Sequence, residues 1–176
     1  MRVARAAGIL VVVTAACHGS GAPRPSPDAA ATPSDSVRGI VQRIGSELRT
    51  ALTVRGADGA TCVLRFAGAA RPPALEGLEA VLWGIRSTAA APPMPGTPCT
   101  VDVAAFAVRA VDGIAAVDGV LRTDGASFAL ETAPGTRRPL REVPAALRTQ
   151  VGARIFWAGP LDRAPAAYGV LVPATP

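Results

Sequence analysis

The amino-acid sequence predicts a mainly β protein in two similar halves, with at most one or two short helices. Three observations carry this expectation. Apolar residues recur at every second position in several runs after Val37, the spacing of half-buried strands. Glycine turns separate those runs: Gly56-Ala57-Asp58-Gly59, Asp112-Gly113, Asp124-Gly125 and Pro134-Gly135. A pattern also repeats. Arg38-Gly39-Ile40-Val41 is echoed by Asp118-Gly119-Val120-Leu121, and Gly77 to Gly84 brackets an apolar run as Gly152 to Gly159 does.

Taken in order, Leu48, Thr50, Leu52 and Val54 alternate with Arg49, Ala51, Thr53 and Arg55, and Cys62, Leu64 and Phe66 alternate with Thr61, Val63 and Arg65. Gly56 to Gly59 turns the chain between these two strands. Leu78 to Ile85 is apolar on both parities apart from Glu79, which predicts a strand covered on both faces. Cys99, Val101 and Val103 resume alternation. Asp112-Gly113 leads directly into Ile114 to Leu121, and Asp124-Gly125 into Ser127 to Glu131 with Phe128 and Leu130 on one face. Arg138 to Val143 is the poorest strand because Pro139 interrupts it. Pro144 to Val151 predicts a short helix: Pro144 suits its first turn, Leu147 and Val151 share a face, and Gly152 ends it. Ala153 to Gly159 and Tyr168 to Val172 are the last strands.

Each half therefore reads strand, strand, strand, short helix or turn, strand, strand. That order resembles the OB fold, a five-stranded barrel with a helix between its third and fourth strands. The resemblance implies two OB-like five-stranded barrels in tandem, 37–111 and 112–176; the alternative is a single β-sandwich. It also implies that the third and fifth strands of the first barrel run parallel side by side, which would bring Cys62 and Cys99 together as a disulfide. The competing expectation is two buried free cysteines.

The N-terminus supplies an address. Arg2 and Arg5 precede the apolar run Ala6 to Val13 and the small residues Thr14-Ala15-Ala16, so residues 1–16 read as a signal peptide. Thr14-Ala15-Ala16-Cys17 resembles the lipobox of bacterial lipoproteins, departing from it at Thr14. The resemblance implies acylation of Cys17, a membrane anchor through the N-terminal lipid and, with His18 following, the outer membrane facing the periplasm. The alternative is secretory cleavage with Cys17 as a free thiol. Residues 17–36, rich in Pro, Ala and Ser, read as a disordered tether.

Composition narrows the chemistry. The formal charge is +5, two units of which belong to Arg2 and Arg5, and every basic residue is arginine. The arginines are scattered and interleaved with acids, so the expectation is a solvated surface and no nucleic-acid partner. His18 is the only histidine and lies in the tether, which removes Ser-His-Asp, Cys-His and histidine-zinc arrangements from the folded part. No phosphate-binding glycine loop is present, and no cofactor or metal is expected. Asp58, Asp112 and Asp124 precede turn glycines and read as turn residues. Trp157 shares the parity of Ile155 and reads as core, leaving Tyr168, Phe156 and Trp83 as candidate ligand-binding residues. The function these features favour is a non-catalytic cell-envelope lipoprotein that binds a protein, peptide or glycan through its β domains. The alternative is a carboxylate-dependent hydrolase or small-molecule carrier using an interdomain cleft.

Overall fold

The computed structural model describes residues 35–46, 49–68, 72–88, 94–132 and 135–175. Residues 1–34, on which the signal-peptide and Cys17 readings and most of the tether reading fall, lie outside the described residues. Ten strands and one short helix follow in the order β1 (Asp35–Ser46), β2 (Arg49–Gly56), β3 (Thr61–Phe66), β4 (Leu78–Thr88), β5 (Cys99–Val111), β6 (Ile114–Asp124), β7 (Ser127–Thr132), β8 (Thr136–Leu140), α1 (Ala145–Arg148), β9 (Arg154–Ala158) and β10 (Ala167–Val172). The first strand begins at Asp35, so the last two residues assigned to the tether are already paired, with Gly84 and Trp83.

β1 to β5 close on themselves in the cyclic order β1-β2-β3-β5-β4, antiparallel throughout except for the parallel β3–β5 pair. This is the strand order of an OB-like barrel, and its closure excludes the single sandwich. Val41, Val54, Leu75, Leu82, Val101 and Val108 fill its interior. β4 is not covered on both faces as its sequence suggested. Leu78, Ala80 and Leu82 are buried, Val81 and Trp83 are half-buried, and Ile85 is exposed. Bulges at Glu79/Ala80 and Trp83/Gly84 bend the strand around the barrel, and its outer parity faces outward.

The chain leaves β5 through a two-residue hairpin in which Asp112 and Gly113 both take positive φ (48° and 77°), the geometry a tight right-twisted hairpin requires. β6 to β10 then form a sheet in the order β8-β7-β6-β9-β10, again the OB order. Its core is Leu121, Leu130, Leu140, Val143, Leu147, Ile155 and Trp157. α1 is shorter than expected. Leu147 is buried, but Val151 lies past the helix and is exposed. Ala116, Ala158 and Leu171 of this half are buried among the side chains of the first barrel, so the described residues of both halves belong to one compact unit.

The repeat seen in sequence is present in the hydrogen bonds. Gly77 N–H donates to the Val41 carbonyl, and Gly152 N–H donates to the Leu121 carbonyl at the matching position. Gly39 and Gly119 match as well: a Cβ on either would collide with the neighbouring strand, at the carbonyl of Arg55 and of Glu131 respectively.

Register extends the match to the third strands. Ile40 faces Arg55, which faces Thr61; Val120 faces Glu131, which faces Arg137. Counting onward pairs Cys62 with Arg138, Val63 with Pro139 and Leu64 with Leu140, and both leucines are buried. Here the halves differ. Cys62 faces Cys99 across the parallel β3–β5 ladder, whereas no ladder joins β8 to β10 among the described residues. The second half keeps the strand order but stays open, where a second closed barrel was expected. Two residues account for this. Pro139 supplies no N–H for a ladder, and Arg138 puts a charge where the first half buries a cysteine.

Candidate ligand-binding cleft

Cys62 and Cys99 form a disulfide, with their Cα atoms 4.5 Å apart on paired strands. Each lies on the inward parity of its strand, and both are buried. The bridge therefore staples the barrel at its only parallel seam.

A concavity lies where β5 and β6 diverge beyond their shared hairpin. It is a cleft of about 480 Å³, lined by Trp83, Ala105 to Arg109, Val117, Asp118, Thr132 and Arg154. Asp118 and Arg154 organise it. Arg154 Nε donates to Asp118 Oδ2 at 2.7 Å, and its Nη2 reaches the same carboxylate oxygen. The other oxygen, Oδ1, accepts the Val108 N–H at 2.7 Å. Arg154 Nη2 also donates to the Phe106 carbonyl at 2.6 Å, and the guanidinium carbon sits 3.9 Å from the centroid of the Phe106 ring. The Asp118 side chain is only 5% exposed, so the carboxylate is stable there because both its oxygens are engaged. A single ion pair thus ties β6 and β9 to two backbone groups of β5, bridging the gap the hairpin leaves.

The first half has the same pair with its charges exchanged. Arg38 matches Asp118, Glu79 matches Arg154, and Arg38 Nε donates to Glu79 Oε1 at 2.7 Å. That pair lies at the surface, with side chains 66% and 31% exposed.

No protein-family model, curated protein or solved structure matches this chain. The arrangement of the cleft therefore has to be read from its own residues.

Of the three aromatic candidates, only Trp83 lines the cleft. Phe156 lies over Gly169, where an added Cβ would meet its ring at 2.7 Å, and it packs against the first barrel's core. Tyr168 is 41% exposed on β10. The structure does not bring the three together. Trp157 is fully buried, its indole N–H donating to the Pro160 carbonyl at 3.0 Å. Phe106, Asp118 and Arg154 were not foreseen as site residues, although the repeat marks two of them: Asp118 precedes Gly119 as Arg38 precedes Gly39, and Arg154 stands two residues after Gly152 as Glu79 does after Gly77.

The polar groups of the cleft are largely committed. Asp118 is held by three donors, and the Thr132 hydroxyl donates to the Thr136 carbonyl. What faces outward is the Trp83 indole, a wall of Ala105, Ala107 and Val117, and Arg109 at the rim. Such a surface can stack on a flat or ring-shaped group and orient it by charge. Elsewhere, the Ala60 N–H and then Arg86 hold the Asp58 carboxyl below the usual carboxylate range, and Arg122 does the same for Glu131. Asp58 has the turn role read from its sequence, its Oδ1 accepting the Ala60 N–H.

Proposed function

We propose that this chain is an exported, membrane-anchored lipoprotein of the cell envelope that binds a protein, peptide or glycan partner without catalysis. The observation that carries the reading is the state of Asp118. Both oxygens of the cleft's carboxylate are engaged, Oδ2 by Arg154 and Oδ1 by the Val108 N–H, which supports a role in shaping the site over one in moving a proton. Export is supported by the Cys62–Cys99 bridge, which suits an oxidising compartment. Trp83 supplies the stacking face for a ligand, and Trp157 is shielded from it.

The test uses the full chain expressed in a bacterial host and purified from its membranes. Mass spectrometry of the N-terminus is expected to find acylated Cys17. Tryptophan emission is then followed against cell-wall disaccharide-peptides and a panel of peptides. The expected result is a saturable change with one of them, abolished by Trp83→Ala, and no product. Turnover of a glycan or peptide that is lost in Asp118→Asn would establish the carboxylate-dependent hydrolase instead.

A further inference from the structure

A second groove lies between β8 and the segment that follows β9. It measures about 430 Å³ and is lined by Arg137, Arg138, Pro139, Arg141, Pro160, Leu161 and Asp162. Arg137, Arg138 and Arg141 are exposed and none makes a close ion pair among the described residues, although Arg137 faces Glu131 across the β7–β8 ladder and, after Arg122, helps to lower its pKa. The single carboxylate on the rim, Asp162, is matched by Arg163 at 3.6 Å. Three arginines thus line a surface groove together with the apolar side chains of Pro139, Pro160 and Leu161.

We propose that this groove binds an extended acidic peptide segment. The proposal rests on the reading of the chain as a binding protein and names the chemistry of one partner. Three features of the groove select the occupant. First, the arginines are spread along the strand. Arg137 and Arg141 are four residues apart, about 13 Å between Cα atoms if the chain is extended, so with Arg138 between them they present positive charge along a length that several carboxylates can occupy. Carboxylates two to four residues apart on an extended peptide match that spacing. Second, recognition must come from side chains. Pro139 has no N–H to offer a strand added at this edge, and the Arg141 N–H already donates to the Leu161 carbonyl at 3.0 Å. Third, the guanidinium is the side chain best suited to paired hydrogen bonds with a carboxylate. The matching positions in the first half close a barrel instead: Cys62 stands where Arg138 does, in the disulfide.

The test measures fluorescence anisotropy of a labelled ten-residue peptide of alternating Glu and Ala with the full purified chain. The expected result is saturable binding that weakens with added salt and is absent for the Gln–Ala counterpart. The variant R137E/R138E/R141E is expected to lose at least roughly tenfold in affinity, the sum of three exposed charge pairs. Arg65→Glu, the position equivalent to Arg141 in the closed barrel, is expected to bind as the parent does. An unchanged far-ultraviolet circular dichroism spectrum and denaturation midpoint check that the variants are folded; should the triple variant fail this check, Arg138→Gln serves, with a smaller expected loss. Equal binding of the Gln–Ala peptide, full affinity in the arginine variants, or displacement by inorganic phosphate at concentrations that leave the peptide's other electrostatics intact would each overturn the proposal. If the acidic peptide fails while the Trp83 cleft still responds to its ligand, the groove assignment falls and the binding function stands.

Discussion

Arg154→Ala offers a sharp test of how the two halves are held together, because its repeat-equivalent, Glu79→Ala, is a built-in control. Both substitutions remove one partner of an ion pair at the same place in the strand order. They differ in what is left behind. Glu79→Ala frees Arg38, which is 66% exposed and simply hydrates, so the cost is at most about 1 kcal/mol. Arg154→Ala strands a carboxylate that is 5% exposed. Breaking a buried pair in this way costs about 3–5 kcal/mol when burial is complete. Here Val108 N–H still donates to Asp118, and the Arg154 side chain is itself 32% exposed, so the expected cost is about 2–3 kcal/mol. For a unit of this size that lowers the melting temperature by roughly 5–10 °C. Urea denaturation of the two variants, with thermal melts beside it, measures the difference. The double variant Asp118→Asn/Arg154→Met is expected to recover part of the loss, because no unpaired charge then remains inside. If Arg154→Ala costs no more than Glu79→Ala, the claim that burial gives this pair its weight is wrong.

Three further outcomes are expected. Replacing Cys62 and Cys99 by Ala opens a link between residues 37 apart in sequence and lowers stability by up to about 4 kcal/mol on the chain-entropy account, read as the shift in denaturation midpoint between oxidised parent and variant. Gly39→Ala, which drives a Cβ into the Arg55 carbonyl, is expected to cost more than about 3 kcal/mol and to cut soluble yield, whereas Gly59→Ala, with open space around it, costs only the strain of its positive φ. Asp58 has a folded pKa below its unfolded one, so its contribution is present above the unfolded value and is lost as pH falls through the folded one. Asp58→Asn should therefore flatten the decline of the denaturation midpoint below about pH 4, and an unchanged acid limb would remove Asp58 from the account.

Much of this architecture is legible in the chain. Alternation marks β2, β3 and the start of β5, the glycine turns mark the hairpins, and the parity of Cys62 and Cys99 places both inside the barrel, where they are joined; no run of its own marks β1. What was misread has identifiable causes. β4 appeared two-faced because Val81, Trp83 and Ile85 occupy its outer parity, and alternation cannot say that an apolar outer face stays partly uncovered. The open seam needed the registers of two ladders, because only these align Arg138 with Cys62 and Pro139 with Val63. The cleft was hidden for another reason. Two of the groups that hold Asp118 and Arg154 are the Val108 amide and the Phe106 carbonyl, and backbone groups leave no mark on composition or spacing.

The exchanged ion pairs bear on how a chain with two like halves pairs its strands. Two halves with one strand order present each first strand with two eligible partners, its own fourth strand or that of the other half. The paired positions distinguish them. In the native pairing Arg38 meets Glu79 and Asp118 meets Arg154. In the crossed pairing Arg38 would meet Arg154 and Asp118 would meet Glu79, like charge against like in both places, which is unfavourable on adjacent strands. Had both halves kept the same sign, crossed and native partners would be electrostatically equivalent. The inversion therefore disfavours the crossed pairing, chiefly through Asp118, whose side chain is the buried one.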